Sequence, residues 1–314
     1  MPLLRIVLRQ GTDGGLRINI SNSKLRLNLN ITRFSLIFYP HPTGKAFHNL
    51  DLVKKDFIFA LLSLLPVEMK QYEAVIETLE RLGGIATLGE LNREVFKIKD
   101  CEWKTKTPFA SIRRIVQVTD GIYKIKPGLY GLEKYRKQNE CRGIFSETDT
   151  HKDIDENNKF THTYYQGLLL IIGRLHGLNT FVPCQDKNKK FYDGRSLAEM
   201  STLSALPKFS YQELVNRSST IDTIWFNERN MPHSFFEVEH STDIQNSLLK
   251  FNDLQDFYVR MVIVADEKRR DDYKHKLGYH AFDELCKRVS FLSYDALGKQ
   301  YEYEIEKQKI DFIL

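Results

Sequence analysis

The chain has 314 residues, of which 42% are apolar and 28% charged, so it can bury real hydrophobic cores and is long enough for two domains. Its four cysteines, Cys101, Cys141, Cys184 and Cys286, lie far apart with no Cys-x-x-Cys pair, which speaks against a zinc site or disulfide framework and for reduced thiols in a cytoplasmic protein. The longest apolar run, Phe57 to Val67, contains Ser63 and Pro66, falls short of the ~20 residues of a membrane span, and lies too far inside the chain for a signal peptide.

The net charge of +5 conceals an asymmetry. Residues 86–142 hold thirteen Lys/Arg against seven Asp/Glu, a net of +6, whereas 143–314 hold twenty-two against twenty-seven, a net of −5. A basic region ahead of an acidic one is the electrostatic arrangement of a nucleic-acid-binding module followed by a metal-dependent catalytic domain.

Residues 1–52 alternate apolar and polar side chains in LRINI and KLRLNLNI, around the turn Asp13-Gly14-Gly15, and read as a β-rich extension of two or three strands or as a poorly ordered one. From 53 to 137 the pattern is clearer. Leu61 to Leu82 has helical spacing and stops at Gly83-Gly84. Thr87 with Glu90 is a capping box that opens a second helix through Leu91 and Val95 to Phe96. A third helix opens at Thr107-Pro108 and ends before Asp120-Gly121, and Gly121 to Leu132 reads as two short strands around Pro127-Gly128. Residues 138–160 are polar and read as a linker.

The last stretch, 161–314, alternates helices and strands. A helix is expected from Thr161 to Leu175, a strand at Asn179 to Pro183, and a short helix at Ser210 to Asn216. Next is a strand hairpin, formed by Ile221 to Phe226 and Ser234 to Val238. Then come a helix at Asp243 to Phe257, a central strand at Arg260 to Ala265, a helix at Asp266 to Cys286, either continuous or broken at Gly278, and a strand at Val289 to Tyr294. The tail, Tyr301 to Leu314, alternates early; packing on its own domain is the ordinary fate of its apolar residues, with an edge strand or an element between subunits as the alternatives.

The hairpin carries the chemistry. In an antiparallel pair Asp222 lies beside the end of the second strand, where Glu237 and Glu239 share a face. Three gathered carboxylates repel one another unless a cation or proton compensates, and oxygen ligands suit Mg2+ or Mn2+. Acids near a hairpin also occur on solvated faces. Ile224, Trp225, Phe235, Phe236 and Val238 speak instead for a sheet buried on both sides.

Asp222, fourteen residues, then Glu237-Val238-Glu239 resembles the signature of the PD-(D/E)XK nuclease superfamily, with Glu239 where Lys is usual, as in some type II restriction endonucleases. The order of elements over 161–294 is similar to the αβββαβ core of that fold, with a mixed sheet. TPFASIRRIVQ followed by GIYKIKPGLYGL resembles the winged-helix domains of the HARE type, found in chromatin proteins and fused to bacterial restriction endonucleases. The resemblance thus implies two domains of α+β and α/β type, a winged helix and then a nuclease core.

In function the resemblance implies a Mg2+-dependent endonuclease acting on double-stranded DNA, with Asp222 and Glu237 as metal ligands and Asp222, Glu237, Glu239 and Lys250 as catalytic residues. Lys250, in the helix after the motif, would replace the missing lysine. DNA contacts would come from Lys104, Lys106, Ser111, Arg113 and Arg114 at the third helix, and from Lys124 and Lys126 in the wing. Solvent-facing arginines, or a protein partner for the winged helix, remain alternatives. Gln166 reads as helix surface or as a group positioning water or phosphate; Glu213 as a solvated acid or a further site acid; His240 as a structural hydrogen-bond partner. Ser241-Thr242 with Gln245 suggests a helix cap. A double-strand cut implies a homodimer. The competing functions are a DNA-binding regulator or repair factor with an inactive nuclease-like domain, and a glycosidase working by two acids, which the basic first module disfavours.

Overall fold

In a computed structural model the chain is described over residues 5–10, 16–22, 25–32, 35–38, 69–146 and 154–311. It divides into two compact units, Met1–Pro66 and Val67–Leu314. In the first, β1 (Arg5–Gln10), β2 (Leu16–Asn22), β3 (Leu25–Thr32) and β4 (Ser35–Phe38) form an antiparallel meander in that order. Alternation predicts two or three strands; the fourth arises because the chain turns back after Thr32, pairing Ser35 with Thr32 and Phe38 with Leu29. Residues 39–68, including the apolar run and the first turns of the helix expected from Leu61, lie outside the described residues. Among the described residues no helix is long and apolar enough to cross a membrane. All four cysteines are free.

The second unit begins with helices at the expected places. Helix α1 (Gln71–Arg81) is followed by Gly83 and Gly84, both at positive φ, a conformation that costs glycine nothing. The Thr87 side chain accepts from the Glu90 amide while the Glu90 carboxylate accepts from the Thr87 N–H, opening α2 (Leu88–Glu94). Helix α3 (Pro108–Val118) starts on its proline. Strand β5 (Ile85–Thr87), too short for its alternation to register in the sequence, pairs with β7 (Leu129–Leu132), which pairs with β6 (Ile122–Lys126), giving an antiparallel sheet β5-β7-β6. Val75, Leu79, Leu91, Ile112, Val116 and Leu132 form its core.

The expected linker 138–160 needs correction, for helices occupy both its ends. Helix α4 (Arg136–Cys141) enters it, and α5 (Ile154–Leu175) starts at Ile154 rather than Thr161. The first turns of α5 escape the apolar pattern because they bond rather than pack: Asn157 Oδ1 accepts from Lys126 Nζ at 3.0 Å, and the Asn157 carbonyl from Thr161 at 2.7 Å.

Beyond α5 lies a five-stranded mixed sheet, ordered β12-β11-β10-β9-β8. Strands β8 (Asn179–Phe181), β9 (Thr223–Phe226) and β10 (Pro232–Glu239) are antiparallel in turn, and β10, β11 (Arg260–Ala265) and β12 (Val289–Ser293) run parallel. Two short helices, α6 (Leu197–Met200) and α7 (Gln212–Ser218), lie between β8 and β9. Helix α8 (Ile244–Asn252) joins β10 to β11; it is shorter than the sequence suggests, and its cap is Asp243 rather than Ser241 or Thr242, accepting from the Gln245 amide. The helix expected over 266–286 shrinks to α9 (Arg270–Leu277) with 3-10 turns on either side, where Gly278 interrupts it.

Alternation splits the sheet's side chains between two helical layers. Trp225, Phe236, Val238 and Val264 pack with Tyr164 and Leu168 of α5, and Ile224, Phe235, Met261 and Ile263 with Leu248 and Phe251 of α8. The tail is not a strand. It is helix α10 (Tyr294–Asp311), because Leu297 and Tyr301 recur at helical spacing from Tyr294 and are buried, while Tyr303 is exposed.

The basic module and the sheet domain share packing. Ile85, Ile125 and Leu129 join the hydrophobic cluster around α5, and Tyr164 Oη donates to the Pro127 carbonyl at 3.0 Å. Gly298 lets this hairpin tip close on α10, since a Cβ there would stand 3.1 Å from the Pro127 oxygen. Arg113 reaches Glu302 at 2.8 Å, Asn92 reaches Glu306 at 3.0 Å, and the Thr87 and Tyr301 hydroxyls meet at 3.2 Å.

Candidate active site

Thr223 pairs with Phe236, which leaves Asp222 at the mouth of β9, beside the carboxyl end of β10. There its Oδ2 accepts from the Val238 amide at 2.8 Å. Glu237 and Glu239 point towards Ser247 and Lys250, which lie three residues apart on one stripe of α8. Lys250 Nζ donates to Glu237 Oε2 at 2.8 Å and Oε1 at 3.1 Å, and to the Thr220 carbonyl at 3.0 Å. The acids expected to gather do so in a dry place: Asp222, Glu237 and Glu239 are 7%, 1% and 4% exposed.

Charge there is only partly balanced. Burial, joined by the neighbouring Asp222 charge, pushes the Glu237 carboxyl well up from its ordinary range, despite Lys250. Burial also raises Asp222 and Glu239. For Lys250, burial works against the ammonium, but Glu237 outweighs it and the pKa rises. Ser247 Oγ touches both Glu237 and Glu239. A hydroxyl has one proton to give, so both contacts are hydrogen bonds only when one carboxyl is protonated. Glu239 also accepts from Thr242 and lies 4.0 Å from Arg269.

A second grouping meets Asp222 from the opposite layer. His162 and Gln166, one turn apart on α5, face the loop after β8, where Asp186 sits. His162 Nδ1 lies 3.0 Å from the Val238 carbonyl, and its Nε2 is 3.6 Å from Asp186 Oδ2 and 3.8 Å from Asp222 Oδ1. Ligand atoms of His162, Asp186 and Asp222 all lie within 4.8 Å of one another, and the three could hold a metal ion. Burial raises the cost of the Asp186 charge, but His162 and Lys189 overcome it and hold the carboxyl down at about 2. Burial likewise opposes the His162 charge, yet Asp186 and Asp222 lift its pKa.

Gln166 is not on the helix surface. It is fully buried, its Nε2 donating to Asp186 Oδ2 and to the Asp222 carbonyl, both at 2.8 Å. His162, Asp186 and Ser247 escape the sequence reading. His162 and Gln166 at i, i+4 carry a faint signal, whereas Asp186 sits in a polar loop with none.

The other candidates are scattered. Glu213 is exposed on α7, and His240 is half-buried with its ring stacked 6.2 Å from Tyr294. Lys104, Lys106 and Arg114 are exposed and Ser111 is half-buried. Arg113 is held by Glu302, Lys124 lies 3.9 Å from Asp295, and Lys126 is buried against Asn157.

Residues 144–313 match the family model for the type II restriction enzyme NmeDI C-terminal domain. The chain is similar to the type II restriction enzyme NmeDI of Neisseria meningitidis serogroup C, 27% identical over 169 residues, 51% of this chain and 47% of that protein. It thus spans about half the length of the curated relative it matches. No solved structure matches it. The matched stretch opens just after α4 and contains both groupings around Asp222 and more than half of the sequence, so the chain belongs to the family of type II restriction enzyme NmeDI C-terminal domains.

Proposed function

We infer that the protein is a metal-dependent DNA endonuclease of the type II restriction kind, with PD-(D/E)XK chemistry in residues 161–314 and a winged-helix module in 53–137. The observation that carries this reading is the buried meeting of Asp222 and Glu237 at the carboxyl end of β10, within the stretch that matches the restriction-enzyme family. Such strand ends are where open α/β sheets place their ligands. The order α5, β8, β9, β10, α8, β11, with only the short helices α6 and α7 inserted between β8 and β9, supports the nuclease core. The order α1, β5, α2, α3, β6, β7 supports the winged helix.

The donor set at Asp222 and Glu237 is all oxygen, and its charge exceeds what Lys250 balances; both facts fit a hard divalent ion, Mg2+ or Mn2+. When bound there, such an ion supplies charge at the phosphate and acidifies a water molecule. The chain's own groups do the rest. Lys250, tethered to Glu237 and the Thr220 carbonyl, presents an ammonium to a phosphate oxygen. Glu239, in the place usual for lysine and raised in pKa by burial, accepts a proton from the attacking water, and Ser247 and Thr242 orient it. Lys104, Lys106 and Arg114, exposed around α3, contact the DNA backbone or bases. A cut through both strands calls for two copies about a two-fold axis.

The purified chain, incubated with plasmid and Mg2+ and then with EDTA, tests this reading. Linear or nicked product that EDTA prevents supports it. Binding without cutting under every divalent ion refutes it in favour of an inactive-domain regulator.

A further inference from the structure

We propose that His162, Asp186 and Asp222 form a binding site for a divalent first-row transition cation, of which Mn2+ is the representative, sharing Asp222 with the Asp222–Glu237 pair but taking its other donors from α5 and the loop after β8. The site is built from three elements: the middle of α5, the loop after β8, and the mouth of β9.

Its geometry is that of a ligand shell. Ligand atoms about 2.0–2.2 Å from a common ion lie roughly 3.0–3.5 Å from one another. His162 Nε2 is 3.6 Å from Asp186 Oδ2 and 3.8 Å from Asp222 Oδ1, slightly wider than that and too long for hydrogen bonds. The tautomer is set for ligation: with Nδ1–H donating to the Val238 carbonyl at 3.0 Å, the Nε2 lone pair faces the two carboxylates. A backbone acceptor on the remote nitrogen is the usual support of a metal-binding histidine. Without a cation or a proton between them, a lone pair and two carboxylate oxygens repel.

An independent observation is the amide of Gln166. It is fully buried and seated in the cluster through its two donor contacts, yet its Oε1 has no hydrogen-bond partner. An orphaned buried oxygen costs the fold free energy, and a cation beside it removes that cost. One imidazole nitrogen and two carboxylates are a mixed donor set. It favours a borderline ion over Mg2+, which takes oxygen ligands and keeps its waters. Asp222 can serve here through Oδ1, because Oδ2 is the atom that accepts from Val238.

The test needs no DNA. The EDTA-stripped full chain is titrated with Mn2+, and pulsed EPR is read for coupling to an imidazole nitrogen. Bound Mn2+ showing that coupling is expected, with at least about a tenfold weaker Kd in His162→Gln and in Asp186→Asn, as loss of a ligand or its support brings. Glu237→Gln should retain one Mn2+ with the nitrogen coupling. Bound Mn2+ without nitrogen coupling overturns the proposal, as does no binding by the wild-type chain. The wild-type spectrum decides even if a variant fails to fold. Nitrogen-coupled Mn2+ in a chain that cuts nothing keeps this site and removes the nuclease reading; Mg2+-dependent cutting without nitrogen-coupled Mn2+ does the reverse.

Discussion

Glu237→Gln should stabilise the metal-free protein while destroying its cleavage activity. Glu237 is 1% exposed, and burial together with the Asp222 charge raises its pKa above the unfolded value in spite of Lys250. For a carboxyl whose folded pKa is the higher, the folded state binds the proton more tightly. Stability is therefore greatest below the unfolded pKa and is lost as pH rises through the window between the two values. The loss has a ceiling. Keeping the group protonated at pH 7 against an unfolded pKa of ~4.3 costs at most about 4 kcal/mol, at about 1.36 kcal/mol per pH unit. Glutamine occupies the same volume without that cost and still offers an oxygen to Lys250. We expect a gain of about 1–3 kcal/mol at pH 7 in EDTA, a rise of several degrees in Tm at roughly 2–4 °C per kcal/mol, shrinking towards zero near pH 4.5. Thermal and urea denaturation at pH 5 and 7.5 measure it, alongside plasmid cleavage in Mg2+. A variant destabilised at pH 7.5 would mean that the Lys250–Glu237 ion pair outweighs burial, and the argument from buried, poorly balanced charge would fall.

Other outcomes are equally accessible. Asp222→Asn and Glu239→Gln should each lower cleavage by at least ~100-fold while leaving DNA binding measurable, because the lost groups act in the transition state. Gel-shift and cleavage assays on the same preparations check this, and near-parental cutting by Glu239→Gln would remove it from the site. Arg114→Ala should reduce DNA affinity and lower the salt slope by about one, whereas Arg113→Ala should change both less, since Arg113 is engaged with Glu302. Gly298→Val should cost about 1–3 kcal/mol by forcing the Pro127 carbonyl away, and should speed hydrogen exchange at the Leu88 amide, which donates to Gly128.

The hairpin with its three acids is legible because its signals are local: a β-branched and aromatic run, a polar connector and a second run fix which residues end up side by side. The same holds for the Thr87 capping box and the glycine stop after α1. The features that escaped have non-local causes. Asp186 reaches Asp222 only because β8 pairs with β9, a contact that no spacing in the polar loop announces. The tail misleads because Tyr301, Tyr303 and Ile305 alternate over a few residues. The deciding pattern, Tyr294, Leu297 and Tyr301, begins inside what reads as the preceding strand. Gln166 is misplaced because a polar side chain on an apolar helix signals surface unless its partners are known, and those partners come from the loop after β8 and the mouth of β9.

Helix α5 links these distant contacts. Asn157 and Tyr164 hold the hairpin tip of the basic module, through Lys126 and the Pro127 carbonyl, while His162 and Gln166 turn towards Asp186 and Asp222. One helix thus carries the module's docking contacts and two polar groups of the site within three turns. Any displacement of the tip that breaks the Tyr164 bond acts on the element that positions His162. The docked tip also explains why the basic residues divide as they do. Lys126 is buried, and Arg113, though exposed, is paired with Glu302; Lys104, Lys106 and Arg114 are exposed around α3. In the proposed endonuclease, each of these side chains that is spent on a phosphate fixes position only, which leaves sequence discrimination to fewer side chains than the count of basic residues suggests.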